Sequence, residues 1–207
     1  RIFLDPLLRG VYPEDVLAHL RRFTDVNLDD LPVINQPIDV LGVNYYSPKH
    51  VRSDPEAKGH PEHPGTEGIE FVPPEGPLTE MGWCIHPECL ESLLVRLSRE
   101  YPGTPLMITE NGAAYDDKVD ADGRVRDADR VAFLDSHVRA AHAAIAQGAD
   151  LRGYFVWSLL DNFEWAHGYH KRFGLVRVDY DTQRRTLKDS AHWYRDLIAA
   201  NGLPDPS

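Results

Sequence analysis

Glu110 stands at the end of an apolar run, Leu106-Met107-Ile108-Thr109, directly before the turn signal Asn111-Gly112. A carboxylate at the tip of a buried strand is partly desolvated, which suits it to nucleophilic or acid–base work on a bound substrate. A helix cap or a salt bridge is the other use of such a group. Downstream, Glu164 lies in Asn162-Phe163-Glu164-Trp165, shortly after Trp157. Indole faces stack on the C–H faces of a sugar while a carboxylate accepts its hydroxyl protons, so this set suits carbohydrate. A core aromatic cluster with Glu164 on its edge is the alternative. Met81-Gly82-Trp83 and Phe173-Gly174-Leu175 add aromatics beside glycines, and each taken alone reads as packing.

Other chemistries lack their residues. His60, His63, His167 and His170 invite a metal reading, but there is no His-Glu-x-x-His, and His-Gly-Tyr-His stands on an expected loop without nearby cysteines. No metal ligands are assigned. Nucleotide-binding glycine motifs and Gly-x-Ser-x-Gly are absent as well.

The elements that must hold these side chains alternate between helix and strand. Pro13 opens a helix with Val16, Leu17, Leu20 and Phe23 on one face. Val40 to Tyr46 is a compact strand, and Pro87 starts a helix with Leu90, Leu93, Leu94, Leu97 and Tyr101 in one stripe, stopped by Gly103. The strand Leu106 to Thr109 delivers Glu110. The next helix is capped by Asp127, with Val131, Leu134, Val138, Ala141 and Ile145 inward and Gly148 at its end. A third strand runs from Gly153 to Leu159, a hairpin occupies 175–186, and a last helix carries Trp193 and Leu197. Apolar strands separated by helices imply parallel strands covered on both faces, an α/β architecture. Asn44 and Tyr46, Glu110, and Trp157 all fall at strand C-termini, the rim where both β/α barrels and doubly wound sheets bind ligands. Residues 52–80, rich in Pro, Gly and Glu, read as a long rim loop of the active site.

Bulk properties narrow the function. The 207 residues hold 22 Lys and Arg against 33 Asp and Glu, a net charge of −11 that repels phosphate backbones, so no nucleic-acid partner is expected. No apolar run reaches membrane-spanning length, so no membrane partner is expected either. Cys84 and Cys89 do not form a disulfide scaffold, which fits a reducing, cytoplasmic setting.

In order along the chain, Phe3-Leu4-Asp5-Pro6-Leu7, Leu41-Gly42-Val43-Asn44-Tyr45-Tyr46, Met81-Gly82-Trp83, Ile108-Thr109-Glu110-Asn111-Gly112 and Trp157 through Trp165 resemble glycoside hydrolase family 1, the β-glucosidase-like (β/α)8 barrels. Arg172-Phe173-Gly174-Leu175, Lys188-Asp189-Ser190-Ala191 and Trp193-Tyr194 extend the resemblance to nearly the whole chain. It implies that Glu110 is the nucleophile of a retaining β-glycosidase and that Tyr46 hydrogen-bonds and positions it. It further implies that Asn44 lies at the glycone subsite, Trp157 under the sugar, Glu164 and Trp165 on its outer hydroxyls, Phe173 along that wall and Trp83 against the leaving group. It carries a cis peptide at Trp157–Ser158 and requires no metal or organic cofactor. An acidic Glu164 repels a 6-phosphate, so the implied substrate is an unphosphorylated β-glucoside or related glycoside. Cys89, where the family often has Gly after Pro87-Glu88, is a small departure on a helix.

A retaining glycosidase needs a second carboxylate about 5–5.5 Å from the first. In the family that acid/base Glu belongs to Asn-Glu-Pro, and none of Asn27, Asn35, Asn44, Asn111, Asn162 or Asn201 is followed by Glu. A closed barrel has eight strands, whereas only three core strands are legible. The expectation is therefore the C-terminal portion of a (β/α)8 barrel, spanning 1–207, whose partner is the N-terminal part of the same barrel. Alone it is expected to be inactive; a catalytically inactive carbohydrate-binding fragment is the alternative reading.

Overall fold

The structure, a computed structural model, describes residues 1–203 apart from Glu62 and Pro64. The last four residues of the expected 1–207 span, and two positions of the expected 52–80 loop, thus lie outside the described residues. In chain order the elements are α1 (Leu4–Arg9), α2 (Glu14–Leu20), α3 (Leu31–Ile34), β1 (Leu41–Asn44), β2 (Val51–Ser53), β3 (Ile69–Phe71), α4 (Pro87–Glu100), β4 (Leu106–Asn111), α5 (Ala128–Ala146), β5 (Leu151–Val156), β6 (Val176–Val178), β7 (Arg185–Leu187) and α6 (Asp189–Ala200).

The three expected strands form one parallel sheet in the order β1-β4-β5. Val43, Leu106 and Ile108 point into a core shared with Leu90, Leu94 and Leu97 of α4 and Ala141 and Ala144 of α5. Along the strands Gly42, Asn44, Thr109 and Phe155 alternate with these and are exposed. Helices therefore cover one face of the sheet rather than both. Small and polar side chains at Gly42, Asn44 and Thr109 break what reads in sequence as a continuous apolar run.

The helix from Pro87 forms as its stripe requires, with Leu90 and Leu94 fully buried. Two other helices differ from expectation. α2 has no buried residue, and Phe23 lies beyond its end and is exposed. In α5 the buried face is Arg130, Phe133, Leu134, His137, Ala140, Ala141 and Ala144, and Ile145 is exposed. Counting apolar residues misplaces that face because two of its members are polar: Arg130 is held by hydrogen bonds to Asp117 and Asp127, and His137 by one from Nδ1 to the Phe133 carbonyl. Asp127 precedes α5 as expected, but its carboxylate makes no cap; it accepts from Arg130 Nη1 at 2.5 Å and from Ser190 N at 2.8 Å.

The 52–80 segment is more ordered than its composition implies. Ser53 of β2 pairs antiparallel with Ile69 of β3, and Arg52 meets Glu70 across the ribbon at 2.6 Å. Strands of only three residues leave no alternation to read. The hairpin expected at 175–186 is present as β6 and β7. Among the described residues, no helix is long and apolar enough to cross a membrane.

Candidate active site

β4 carries Glu110 next to Asn44 of β1, its register partner. The chain then turns at Tyr45, whose amide donates to the Glu110 carbonyl at 2.9 Å, and this brings Tyr46 over the carboxylate. Tyr46 Oη donates to Glu110 Oε2 at 2.6 Å. Burial, then that hydrogen bond and the Glu110 and Glu164 charges, push the Tyr46 phenol up. It therefore stays protonated and donates to one carboxylate oxygen. The Tyr46 ring is held edge-on by Trp83, with centroids 5.4 Å apart, and by Phe173 at 6.1 Å.

Directly behind Glu110 the backbone is braced. Asn111 Nδ2 donates to the Tyr45 carbonyl at 2.7 Å, Asn111 Oδ1 accepts from Tyr154 Oη, and the Asn111 carbonyl accepts from Trp157 N at 2.9 Å. Asn111 is fully buried, so these partners satisfy a side chain that would otherwise destabilise the core. Gly112 is required next. A Cβ there would lie 1.8 Å from the Trp157 carbonyl oxygen, so no larger residue fits between the two strand ends. The expected cis peptide is present at Trp157–Ser158.

Tyr46, Trp83, Glu110, Trp157, Phe163, Glu164, Trp165 and Phe173 line one cleft together with Asn162. Seven of the eight residues assigned from sequence thus meet in one place. The eighth, Asn44, is adjacent to Glu110 in register, but its Oδ1 accepts from Thr109 Oγ1 at 2.6 Å and it does not line the cleft. Trp165 is 81% exposed and holds a φ of +41°, a left-handed conformation that is unusual for a bulky residue and is stabilised only by its surroundings. The turn is closed by Glu164 N donating to the Gly168 carbonyl at 2.7 Å.

A buried charge network beneath the cleft has no counterpart in the residue-by-residue reading. Arg130, with no exposed surface, donates to both Asp117 oxygens at 2.9 and 2.7 Å, to Asp127, and to the carbonyls of Ala113 and Arg172. Lys188 Nζ donates to Asp117 at 2.5 Å and to Asp161 at 2.9 Å. Asp161 also accepts from Arg172 Nη1 at 2.5 Å and from the amides of Gly174 and Val178. The network ties the segment after Glu110 to those carrying Glu164 and Phe173. Arg172, Lys188 and Asp161 all fall within the motifs that carry the resemblance, which is the only signal that pointed to them. Of the histidines that invited a metal reading, His63 stacks on Phe71 with centroids 5.0 Å apart, and His60 lies tilted against the same ring at 5.1 Å.

This arrangement offers one oriented carboxylate beneath a wall of indole and phenyl faces, with a second carboxylate on the rim. The profile of Glycosyl hydrolase family 1 matches residues 1–203. The chain belongs to this family. Over 206 residues it is 54% identical to thermostable beta-glucosidase B of Thermobispora bispora, covering 98% of this chain and 42% of that protein. It is 50% identical to the bifunctional beta-D-glucosidase/beta-D-fucosidase of Bifidobacterium breve, over 96% of this chain and 46% of that protein. Among solved structures, the family 1 β-glucosidase from Thermotoga maritima superposes with a TM-score of 0.89 at 47% identity, covering 99% of this chain and 44% of that one. The same enzyme in complex with glucoimidazole gives 0.89 at 48% identity. The chain spans under half the length of these family 1 relatives, and its parallel strands and helices align with part of their barrel.

Proposed function

We propose that these residues form the C-terminal part of a (β/α)8 retaining β-glycosidase, with Glu110 as its nucleophile. The observation that carries the reading is the 2.6 Å hydrogen bond from Tyr46 to Glu110 inside a cleft walled by Trp83, Trp157, Glu164 and Phe173. One Glu110 oxygen is held by the phenol, and the other is left to attack.

In the first step a Glu110 oxygen attacks the anomeric carbon, the C1–O bond to the aglycone breaks, and the leaving oxygen takes a proton from a partner carboxylic acid. In the second step that partner, now a carboxylate, removes a proton from water, whose oxygen displaces Glu110 and leaves the β configuration retained. The partner belongs to the remainder of the barrel, so turnover requires it. Trp157 supports the sugar ring, Glu164 and Trp165 take its outer hydroxyls, Trp83 meets the aglycone, and Asn44, outside the cleft lining but beside Glu110 in register, borders the glycone subsite. Glu164 excludes a 6-phosphate by charge repulsion, which favours plain β-glucosides or related glycosides.

The test is Glu110→Gln in a complete barrel carrying these 207 residues, assayed on an aryl β-glucoside. Activity is expected to fall to background, with no trapped glycosyl-enzyme by mass spectrometry. Full activity in the variant overturns the assignment. A wild-type barrel that binds sugar, quenching Trp fluorescence, without turnover would instead establish the carbohydrate-binding alternative.

A further inference from the structure

Outside the cleft, one group of side chains among the described residues has the donor chemistry of a metal site: His50, Cys84 and His86. Cys84 and His86 stand two residues apart, and His50 lies 34 residues before Cys84. The fold brings them together through three contacts. The His50 carbonyl accepts from Val72 N at 2.9 Å, Ile85 N donates to the Pro77 carbonyl at 3.2 Å, and Ser47 Oγ meets Cys84 Sγ at 3.3 Å. One donor atom from each of the three lies within 4.8 Å of the others, and the two imidazoles are 5.4 Å apart.

We propose that His50, Cys84 and His86 bind one borderline-soft divalent cation of the Zn2+ type. One sulfur and two imidazole nitrogens select such an ion over Mg2+ or Ca2+, which take oxygen ligands. Bonds of about 2.0–2.3 Å place tetrahedral donors roughly 3.3–3.8 Å apart. The present spread therefore closes by about 1 Å on binding, a movement open to the exposed His50 side chain. His86 Nδ1 lies 2.5 Å from Glu88 Oε1. A carboxylate in that position fixes an imidazole's orientation and tautomer, the outer arrangement usual for metal-ligating histidines. Cys84 is 2% exposed, so its sulfur is sheltered from oxidants while solvent reaches the site past His50. On binding, the Cys84 S–H bond breaks, an S–metal bond forms, and the proton leaves to solvent. Three protein ligands leave a fourth position for water. The ion would join the segment leaving β1 to the strap ahead of α4, one residue from Trp83.

The experiment is a Co2+ titration of a metal-free, untagged complete barrel carrying this chain. It is expected to bind one Co2+ at this site, with a thiolate-to-cobalt charge-transfer band, release of a proton, and displacement by Zn2+. Cys84→Ser is expected to abolish the band and Cys89→Ser to retain it. Glu88→Gln is expected to weaken binding by about 10–100-fold. His50→Ala, at an exposed position where folding is not at stake, is expected to weaken binding at least as much, with an unchanged circular dichroism spectrum. No band at millimolar Co2+, a band that survives Cys84→Ser, or an affinity unmoved by His50→Ala overturns the proposal.

Discussion

Replacing Asp161 by Ala tests whether the buried network holds the cleft. Asp161 is 4% exposed, and its two oxygens accept from Lys188, Arg172, Gly174 N and Val178 N. The substitution leaves Lys188, itself without exposed surface, with Asp117 as its remaining carboxylate, and it strands two backbone amides. Breaking a buried ion pair on one side costs about 3–5 kcal/mol, and each stranded amide about 1–3 kcal/mol. These terms overlap because the donors share one acceptor group, so the expected loss is about 4–6 kcal/mol. That is a large part of the roughly 5–15 kcal/mol by which folded domains are stable. The assay is urea unfolding of a complete barrel carrying the substitution, with midpoint and slope compared against the parent. Because Gly174 adjoins Phe173, activity on an aryl β-glucoside should also fall under conditions where the variant is still folded. A loss of roughly 0.5 kcal/mol or less, the size of an ordinary surface substitution, refutes the reasoning: the loop would then be relaxing or admitting water to satisfy its own donors.

Further outcomes follow from individual contacts. Tyr46→Phe removes a charge-assisted hydrogen bond worth about 1.5–3 kcal/mol, and kcat/KM on an aryl β-glucoside should fall by about 10–150-fold. An unchanged value would show that Tyr46 does not position Glu110. Gly112→Ala forces a Cβ to within 1.8 Å of the Trp157 oxygen, so activity should be lost while the far-ultraviolet circular dichroism is nearly retained. His137 has no exposed surface, and burial pulls its imidazole down to about 4. Between pH 6.5 and 4 the unfolded chain binds the proton and the native chain does not, so stability present above pH 6.5 drains away as pH falls. The full loss is about 3 kcal/mol, and urea midpoints across that range should show the slope flattened in His137→Gln. Glu164→Gln should relax the exclusion of 6-phosphorylated glucosides, read as a rise in their kcat/KM relative to the unphosphorylated substrate.

The cleft was more legible in sequence than the framework beneath it. Glu110, Trp157 and Glu164 stand out in short motifs and meet in one cleft, and the parallel sheet follows from apolar strands spaced by helices. The inward face of α5 was not legible, because Arg130 is held there by Asp117 and the Arg172 carbonyl, both outside the helix, and His137 is buried against the Phe133 carbonyl of its own helix. The same holds for β2 and β3, which are too short to show an alternation and pair across 15 intervening residues. It holds also for His50, Cys84 and His86, which converge only once the strap before α4 has folded back. What depends on local pattern could be read; what depends on long-range pairing of polar groups could not.

The missing space beside Gly112 has a consequence for recombining this chain with its relatives. The turn after β4 and the Trp157 carbonyl at the end of β5 touch with no room for one extra atom. A crossover between residues 112 and 157 would join a turn from one parent to a strand end from another, where a few tenths of an ångström decide whether they fit. Such chimeras should fail far more often than those cut before β4 or after Ser158, so residues 106–158 behave as a single heritable block.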